Sequence, residues 1–287
     1  MSVLIQGMTG KEGRRMAAWM IASGTDVVAG VTPGKTGEQV EGRPIFDSVA
    51  DAKKRFPEID TTSIVVPPLR VMEATEQAIA SGITYVHILS EGVPVHDVLR
   101  IRRLAKEKGV TILGPSSVGM MMPREKWRVG YIGGEHPFEG AIVGSIGLVS
   151  TSGGMSNEIL KMFFRNGIGV HCAMAVGGDR IPGMTAEEAI EAWMKMDEIK
   201  LVAAFVEPGN PLLDRLVTGQ VRFAKPCVFL VPGDALADLP KGRPYGHAGT
   251  QLAEHAPTLH DMRKAITDYG YPCFARMEDF IEAIKSL

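Results

Sequence analysis

Short apolar runs recur along the chain, each followed by a stretch with apolar positions at helical spacing, an alternation that predicts parallel βα units. Val3-Leu4-Ile5-Gln6 is the first such run. A glycine-rich turn over 7–13 follows, then a helix over 14–23 that sets Met16, Ala17, Met20 and Ile21 on one face. The same reading predicts strands at 26–31, 63–66, 85–89 and 110–113, with helices at 48–56, 70–81 and 95–108. These strands are apolar throughout, as in a sheet buried on both faces. The prediction is an α/β fold that opens with a Rossmann-like domain over 1–122.

Gly114-Pro115 interrupts the pattern, and Pro123, Gly130, Gly133, Gly134 and Pro137 follow without sustained periodicity, so 123–140 reads as a linker. A second alternation then begins. Strands are expected at 147–150, 170–176, 201–206 and 227–231, with helices at 155–166, 185–196, 211–218 and 259–269 and a closing helix from Met277. This predicts a flavodoxin-like domain over 141–287.

The chain has 287 residues, which suits two domains. A net charge of −2, from 31 basic and 33 acidic residues, leaves no basic field for nucleic acid or an anionic membrane surface. No apolar stretch reaches the length of a membrane span, and the first strand begins at Val3 without a leader pattern ahead of it, so a soluble cytoplasmic protein is expected. Cys172, Cys227 and Cys273 are odd in number and flanked by apolar residues, the pattern of reduced core thiols. No metal site is expected in the chain.

Three places carry chemistry. Gly7-Met8-Thr9-Gly10-Lys11-Glu12-Gly13 links a strand to a helix, where backbone donors and the helix dipole can receive a pyrophosphate. Glu12 stands where a P-loop needs a magnesium-binding hydroxyl, so a P-loop is excluded. The second strand runs into Val31-Thr32-Pro33-Gly34-Lys35 and lacks the acidic residue that would hold an NAD ribose; Lys35 offers a cation for an extra phosphate instead. Coenzyme A fits that pattern. Ser152-Gly153-Gly154 follows a strand and opens a helix, presenting unblocked N–H groups to an oxyanion. An ordinary capped turn explains the same residues. His247 lies between Gly246 and Ala248-Gly249, open to close approach, as a phosphoryl acceptor requires. Glu207 closes a strand at the carboxyl edge, where it could fix the tautomer of a histidine.

The order of these motifs, together with Ser90-Glu91-Gly92-Val93-Pro94, Gly114-Pro115 and Gly177-Gly178-Asp179, resembles the α subunit of succinyl-CoA synthetase over essentially the whole chain. That family of nucleoside-diphosphate-forming acyl-CoA ligases includes citryl-CoA synthetase and part of ATP-citrate lyase. The resemblance implies a CoA-binding Rossmann domain followed by a ligase domain. It further implies that Thr9, Gly10, Lys11, Glu12, Lys35, Leu89, Ser90 and Glu91 contact CoA. His247 would be the phosphorylated nucleophile, Ser152, Gly153 and Gly154 its phosphate cradle, and Glu207 the supporting carboxylate. A β-type ATP-grasp subunit would complete a hetero-oligomer and hold ATP or GTP with Mg2+.

Departures from the succinate-type pattern fall at the acid end. Asn157 replaces an aromatic Tyr before Glu158, and Gly178-Asp179-Arg180 is similar to the citrate enzymes, so citrate is the favoured acid, with succinate and malate as alternatives. Glu207-Pro208-Gly209-Asn210 also differs from the family's usual Glu-Ile-Gly-Gly. Two other classes remain: a non-catalytic CoA-binding regulatory protein, and an NAD-dependent oxidoreductase, which the missing acidic residue after the second strand disfavours.

Overall fold

The computed structural model describes residues 1–239 and 257–287. The chain divides into two units, Met1–Glu139 with Ile181–Met184, and Gly140–Arg180 with Thr185–Leu287. Among the described residues no helix is long and apolar enough to cross a membrane.

The first unit contains β1 (Ser2–Gln6), α1 (Lys11–Ala22), β2 (Val27–Val31), β3 (Gln39–Val40), β4 (Arg43–Phe46), α2 (Val49–Arg55) and β5 (Ile59–Ile64). A 3-10 turn at Pro68–Arg70 leads into α3 (Val71–Ala80), β6 (Tyr85–Ile88), α4 (Val95–Lys108), β7 (Thr111–Leu113), β8 (Gly119–Met122) and β9 (Trp127–Gly130). The sheet order is β3-β4-β2-β1-β5-β6-β7, with β3 antiparallel to β4 and the other pairs parallel. Leaving aside the edge strand β3, this is the doubly wound dinucleotide-binding order. The strand order reverses between β1 and β5, which opens a crevice at their carboxyl ends.

Two apolar clusters cover the faces of this sheet. Leu4, Ile64, Val86 and Ile88 pack with α3 and α4 on one side. Val3, Ile5, Met16 and Met20 pack with Trp127 and Tyr131 on the other. β8 and β9 form an antiparallel hairpin, and β9 lies inside the stretch 123–140 read from sequence as a linker. Arg128 fixes this hairpin against α1. Its buried guanidinium donates to the carbonyls of Trp19, Ile132 and Gly134 and to Ser23 Oγ, which satisfies the donors that burial takes from water.

His87 on β6 is fully buried between Ser63 Oγ (2.8 Å, at Nδ1) and the Ser117 carbonyl (2.9 Å, at Nε2). Burial pushes the imidazole down from 6.5 to about 4, so it is neutral in the folded chain. In the unfolded chain it takes a proton below about pH 6.5. Stability is therefore full above that pH and falls as the pH drops toward 4, by about 3 kcal/mol from this residue alone. Urea unfolding at pH 7 and pH 4.5 should show a loss that His87→Gln reduces; an unchanged loss in the variant would assign it to other groups.

The second unit contains β10 (Val143–Ser150), α5 (Gly153–Arg165), β11 (Val170–Ala175), α6 (Ala186–Met194), β12 (Leu201–Phe205) and α7 (Pro211–Val217). It continues with β13 (Cys227–Leu230), a 3-10 turn at Asp234–Asp238, α8 (Leu259–Asp268), β14 (Cys273–Phe274) and α9 (Met277–Lys285). Its parallel strands run β11-β10-β12-β13-β14, the flavodoxin-like order expected from the sequence. The order reverses at β10, so the loops after β10 and β12 face each other across the switch point.

Candidate functional site

In the first unit the turn after β1 builds one wall of the crevice. Gly7 adopts φ +86, and a Cβ there would sit 2.2 Å from the Val65 carbonyl oxygen. Gly13 lies inside α1, where a Cβ would meet the Gly7 oxygen at 2.2 Å. These two glycines let strand, turn and helix close up, and Gly10 caps α1 at φ −69. α1 therefore begins at Lys11, not after Gly13, and its N-terminal N–H groups open toward the crevice.

Two contiguous clefts share Gly10, Val65 and Val66. One, of about 600 Å3, is lined by Gly10, Lys11, Glu12, Leu89, Ser90 and Glu91 among others, bringing together six of the residues expected at the CoA site. The other, of about 590 Å3, runs past Thr9, Thr32 and Pro33 to the start of α3. Thr9 Oγ1 donates to Thr32 Oγ1 at 3.2 Å, which joins the glycine turn to the loop after β2. Ser90 Oγ donates to the Val66 carbonyl at 2.6 Å and fixes the loop after β6. Lys35 is absent from both walls. Its ammonium pairs with Glu38 at 2.8 Å on a half-exposed loop.

Sequence reasoning missed Tyr131 and Arg15, which line the first cleft with Glu12. Tyr131 Oη donates to the Glu12 carbonyl at 2.6 Å and lies 3.1 Å from its carboxylate. Arg15 pairs with the same carboxylate at 2.6 Å and lies over the Tyr131 and Trp19 rings. Burial raises the Tyr131 hydroxyl, which keeps it a donor. The Glu12 carboxylate is thus contacted by both Arg15 and Tyr131 at the cleft wall.

In the second unit Ser152 caps α5, its hydroxyl accepting from the Met155 N–H at 3.4 Å. Ser150 Oγ donates to the Ser152 carbonyl at 2.8 Å and accepts from the Ser152 N–H at 3.1 Å. Ser156 Oγ donates to the same carbonyl at 2.7 Å. This buried serine cluster fixes the start of α5, where Gly153 and Gly154 occupy the first two helical positions and Asn157 follows one turn on. Across the switch point the Glu207 N–H donates to Thr151 Oγ1 at 3.1 Å, and the Thr151 N–H donates to the Phe205 carbonyl. The Val176 N–H donates to the Ser150 carbonyl at 2.9 Å, so the turn carrying Gly178, Asp179 and Arg180 starts beside the same edge. Ser152, Gly153, Gly154 and Glu207 therefore gather at one carboxyl edge. His247, expected as the nucleophile, lies outside the described residues.

Residues 1–92 match the CoA binding domain family. An ADP-forming sulfoacetate-CoA ligase subunit of Acholeplasma sp is 35% identical over 86% of this chain and 82% of its own length. A succinate–CoA ligase (ADP-forming) subunit alpha 1 of Archaeoglobus fulgidus is 30% identical over 99% of this chain and 94% of its own. The chain belongs to the α-subunit family of ADP-forming carboxylate–CoA ligases. For a member of this family the Rossmann order of the first unit and the CoA-domain match are mutually consistent. ATP citrate lyase from Methanothrix soehngenii, solved with citrate and coenzyme A, has the same fold, with a TM-score of 0.87 at 24% identity. That match covers 99% of this chain, which spans about half, 49%, of the lyase chain.

Proposed function

We propose that the chain is the CoA-binding, phosphoryl-carrying subunit of a ligase that joins a small polyanionic carboxylic acid to coenzyme A. A β-type partner supplies ATP with Mg2+. The observation that carries this reading is the edge where the capped start of α5 and the Glu207 loop are tied through Thr151. Phosphoryl leaves ATP for a ring nitrogen of His247 and releases ADP. A carboxylate oxygen of the acid then attacks phosphorus and frees the imidazole. The CoA thiolate adds to the acyl carbon, the C–O bond to phosphate breaks, and phosphate leaves. Each transfer is made easier by the covalent relay. The α5 N–H groups of Gly153 and Gly154 stabilise the phosphoryl oxygens, and Glu207 steadies the imidazolium.

Coenzyme A fits the first unit. The helix start at Gly10-Lys11 suits a pyrophosphate, and the cleft between Lys11 and Leu89-Ser90-Glu91 is large enough for an extended arm. Lys35 is proposed as an outer contact, since it lines neither cleft and its exposed pair with Glu38 is free to exchange.

Citrate is the preferred acid on the strength of Asn157 and Gly178-Asp179-Arg180, whose amide and guanidinium suit an acid with further anionic groups. Sulfoacetate is the second reading, favoured by the 35% identical relative. Both carry an anion besides the reacting carboxylate. Thioester formation with the cognate partner, measured against citrate, sulfoacetate, succinate and malate, should give the highest kcat/KM for citrate. A lead for sulfoacetate would move the assignment to the second reading. No thioester from any of the four, with a partner shown to bind ATP, would leave a non-catalytic CoA-binding protein.

A further inference from the structure

Ile181–Met184 belongs to the first unit, although the chain on either side of it belongs to the second. Its anchorage is specific. Ile181 packs against the apolar cluster that holds Val98, Ile101 and Ile112. The Gly183 N–H donates to the Gly114 carbonyl at 2.6 Å. A Cβ on Gly183 would lie 2.4 Å from Ile112 Cγ2 and 2.7 Å from the Gly114 oxygen, so glycine is what lets the segment lie this close. Arg102 on α4 completes the contact, its Nη1 donating to the Pro182 carbonyl at 2.7 Å and to the Gly183 carbonyl at 3.1 Å. Bonds from a guanidinium are stronger than neutral ones, and the Pro182 ring restricts the backbone that they hold.

The held segment is continuous with the turn assigned above to the acid. The Val176 N–H is bonded to the Ser150 carbonyl and Ile181 is packed, so Gly177, Gly178, Asp179 and Arg180 span the gap between two anchored ends. Beyond the segment, Thr185 caps α6 in a reciprocal box with Glu188, which fixes the chain again. We infer that Arg102 is a positioning residue for acid recognition, restraining Arg180 by holding the Pro182 and Gly183 carbonyls just after it. The inference rests on the reading of Gly178-Asp179-Arg180 as the acid-recognition turn. Without Arg102 one end of that turn is released, and the turn must be ordered when the acid binds, which weakens binding. Arg102 lines neither cleft of the CoA site, so its loss acts on the acid and spares coenzyme A.

Steady-state thioester formation by the full chain with its partner, ATP and Mg2+, measured with citrate and with sulfoacetate, tests this. Arg102→Met should raise KM for the acid by about tenfold or more, and leave unchanged both KM for coenzyme A and phosphorylation of the chain by ATP. Gly183→Ala should give the same split, since its methyl displaces the same segment from the Ile112 side. Arg102→Lys should recover part of the acid KM, because an ammonium can still donate to one of the two carbonyls. An arginine that only supports the fold would move all three readouts together, and that outcome overturns the inference. So does an unchanged acid KM in Arg102→Met when Arg180→Gln raises it, a result that leaves the acid-recognition reading standing. An unchanged acid KM in Arg180→Gln removes that reading and the inference with it.

Discussion

His247→Ala is expected to abolish phosphorylation of the chain and to lower thioester formation by roughly 10^4-fold or more, because the covalent relay has no second acceptor. The basis is chemical. Gly246, Ala248 and Gly249 neighbour His247 in the sequence and carry little side-chain bulk, and an imidazole accepts phosphoryl near neutral pH as an amine or hydroxyl does not. Intact-mass measurement after incubation with the partner subunit, ATP and Mg2+ should show one added phosphoryl group on the wild type and none on the variant. Coenzyme A binding should be unchanged, since the CoA-domain match ends at residue 92. A variant that still gains phosphate would move the acceptor elsewhere, with the serine cluster at the start of α5 the next place to look. A wild type that gains none would remove the relay altogether.

Much of this architecture is legible in the chain because buried parallel strands are written as continuous apolar runs. Val3-Leu4-Ile5, Val27-Val28-Ala29 and Cys227-Val228-Phe229-Leu230 cannot be confused with amphipathic helices of ten or more residues. The elements that escape are those too short to show a period. β3 has two residues, β14 has two, and β4 carries a proline at its second position. The β8–β9 hairpin hides for another reason: Gly130, Gly133 and Gly134 read as loop, yet Gly130 pairs with Gly119 at the hairpin's open end and Gly133 and Gly134 follow just beyond it, all with positive φ. The hairpin's tail delivers Tyr131 to the first cleft, so the missed hairpin and the missed cleft residue are one omission.

The start of α1 shows a subtler limit. Three glycines in seven positions suggest a loop up to Gly13, whereas Gly13 is helical and glycine is needed there for contact. A string of residues does not separate a glycine required by φ from one required by proximity. The turn at the start of α5 is legible for the opposite reason. Ser152 before two glycines carries a capping signature that the structure realises directly, and Glu207 falls at a strand end that the flavodoxin order brings across from it. Lys35 lines neither cleft and pairs with Glu38 three residues on, a contact that sequence position alone does not show.

That difference between glycines gives the second large effect. Gly7→Ala is expected to destabilise the first unit by about 2 to 5 kcal/mol, from left-handed backbone strain together with overpacking. The added methyl would approach the Val65 carbonyl oxygen to 2.2 Å, and neither β1 nor β5 can retreat, since they pair in continuous register over the four positions Val3 to Gln6 that lead into this turn. Gly10→Ala is the contrasting case. Its φ of −69 suits any residue, and the nearest atom to the new Cβ is the Gly7 oxygen at 3.4 Å, an ordinary contact. Stability should hold, but the methyl enters the space shared by both clefts, where the ligand's pyrophosphate would approach the backbone. Denaturant unfolding should therefore separate Gly7→Ala from wild type and leave Gly10→Ala close to it, while coenzyme A titration should find Gly10→Ala weakened by about tenfold or more. If Gly10→Ala binds coenzyme A as wild type does, the ligand does not approach this turn, and the pyrophosphate must be sought along the Leu89-Ser90-Glu91 wall instead.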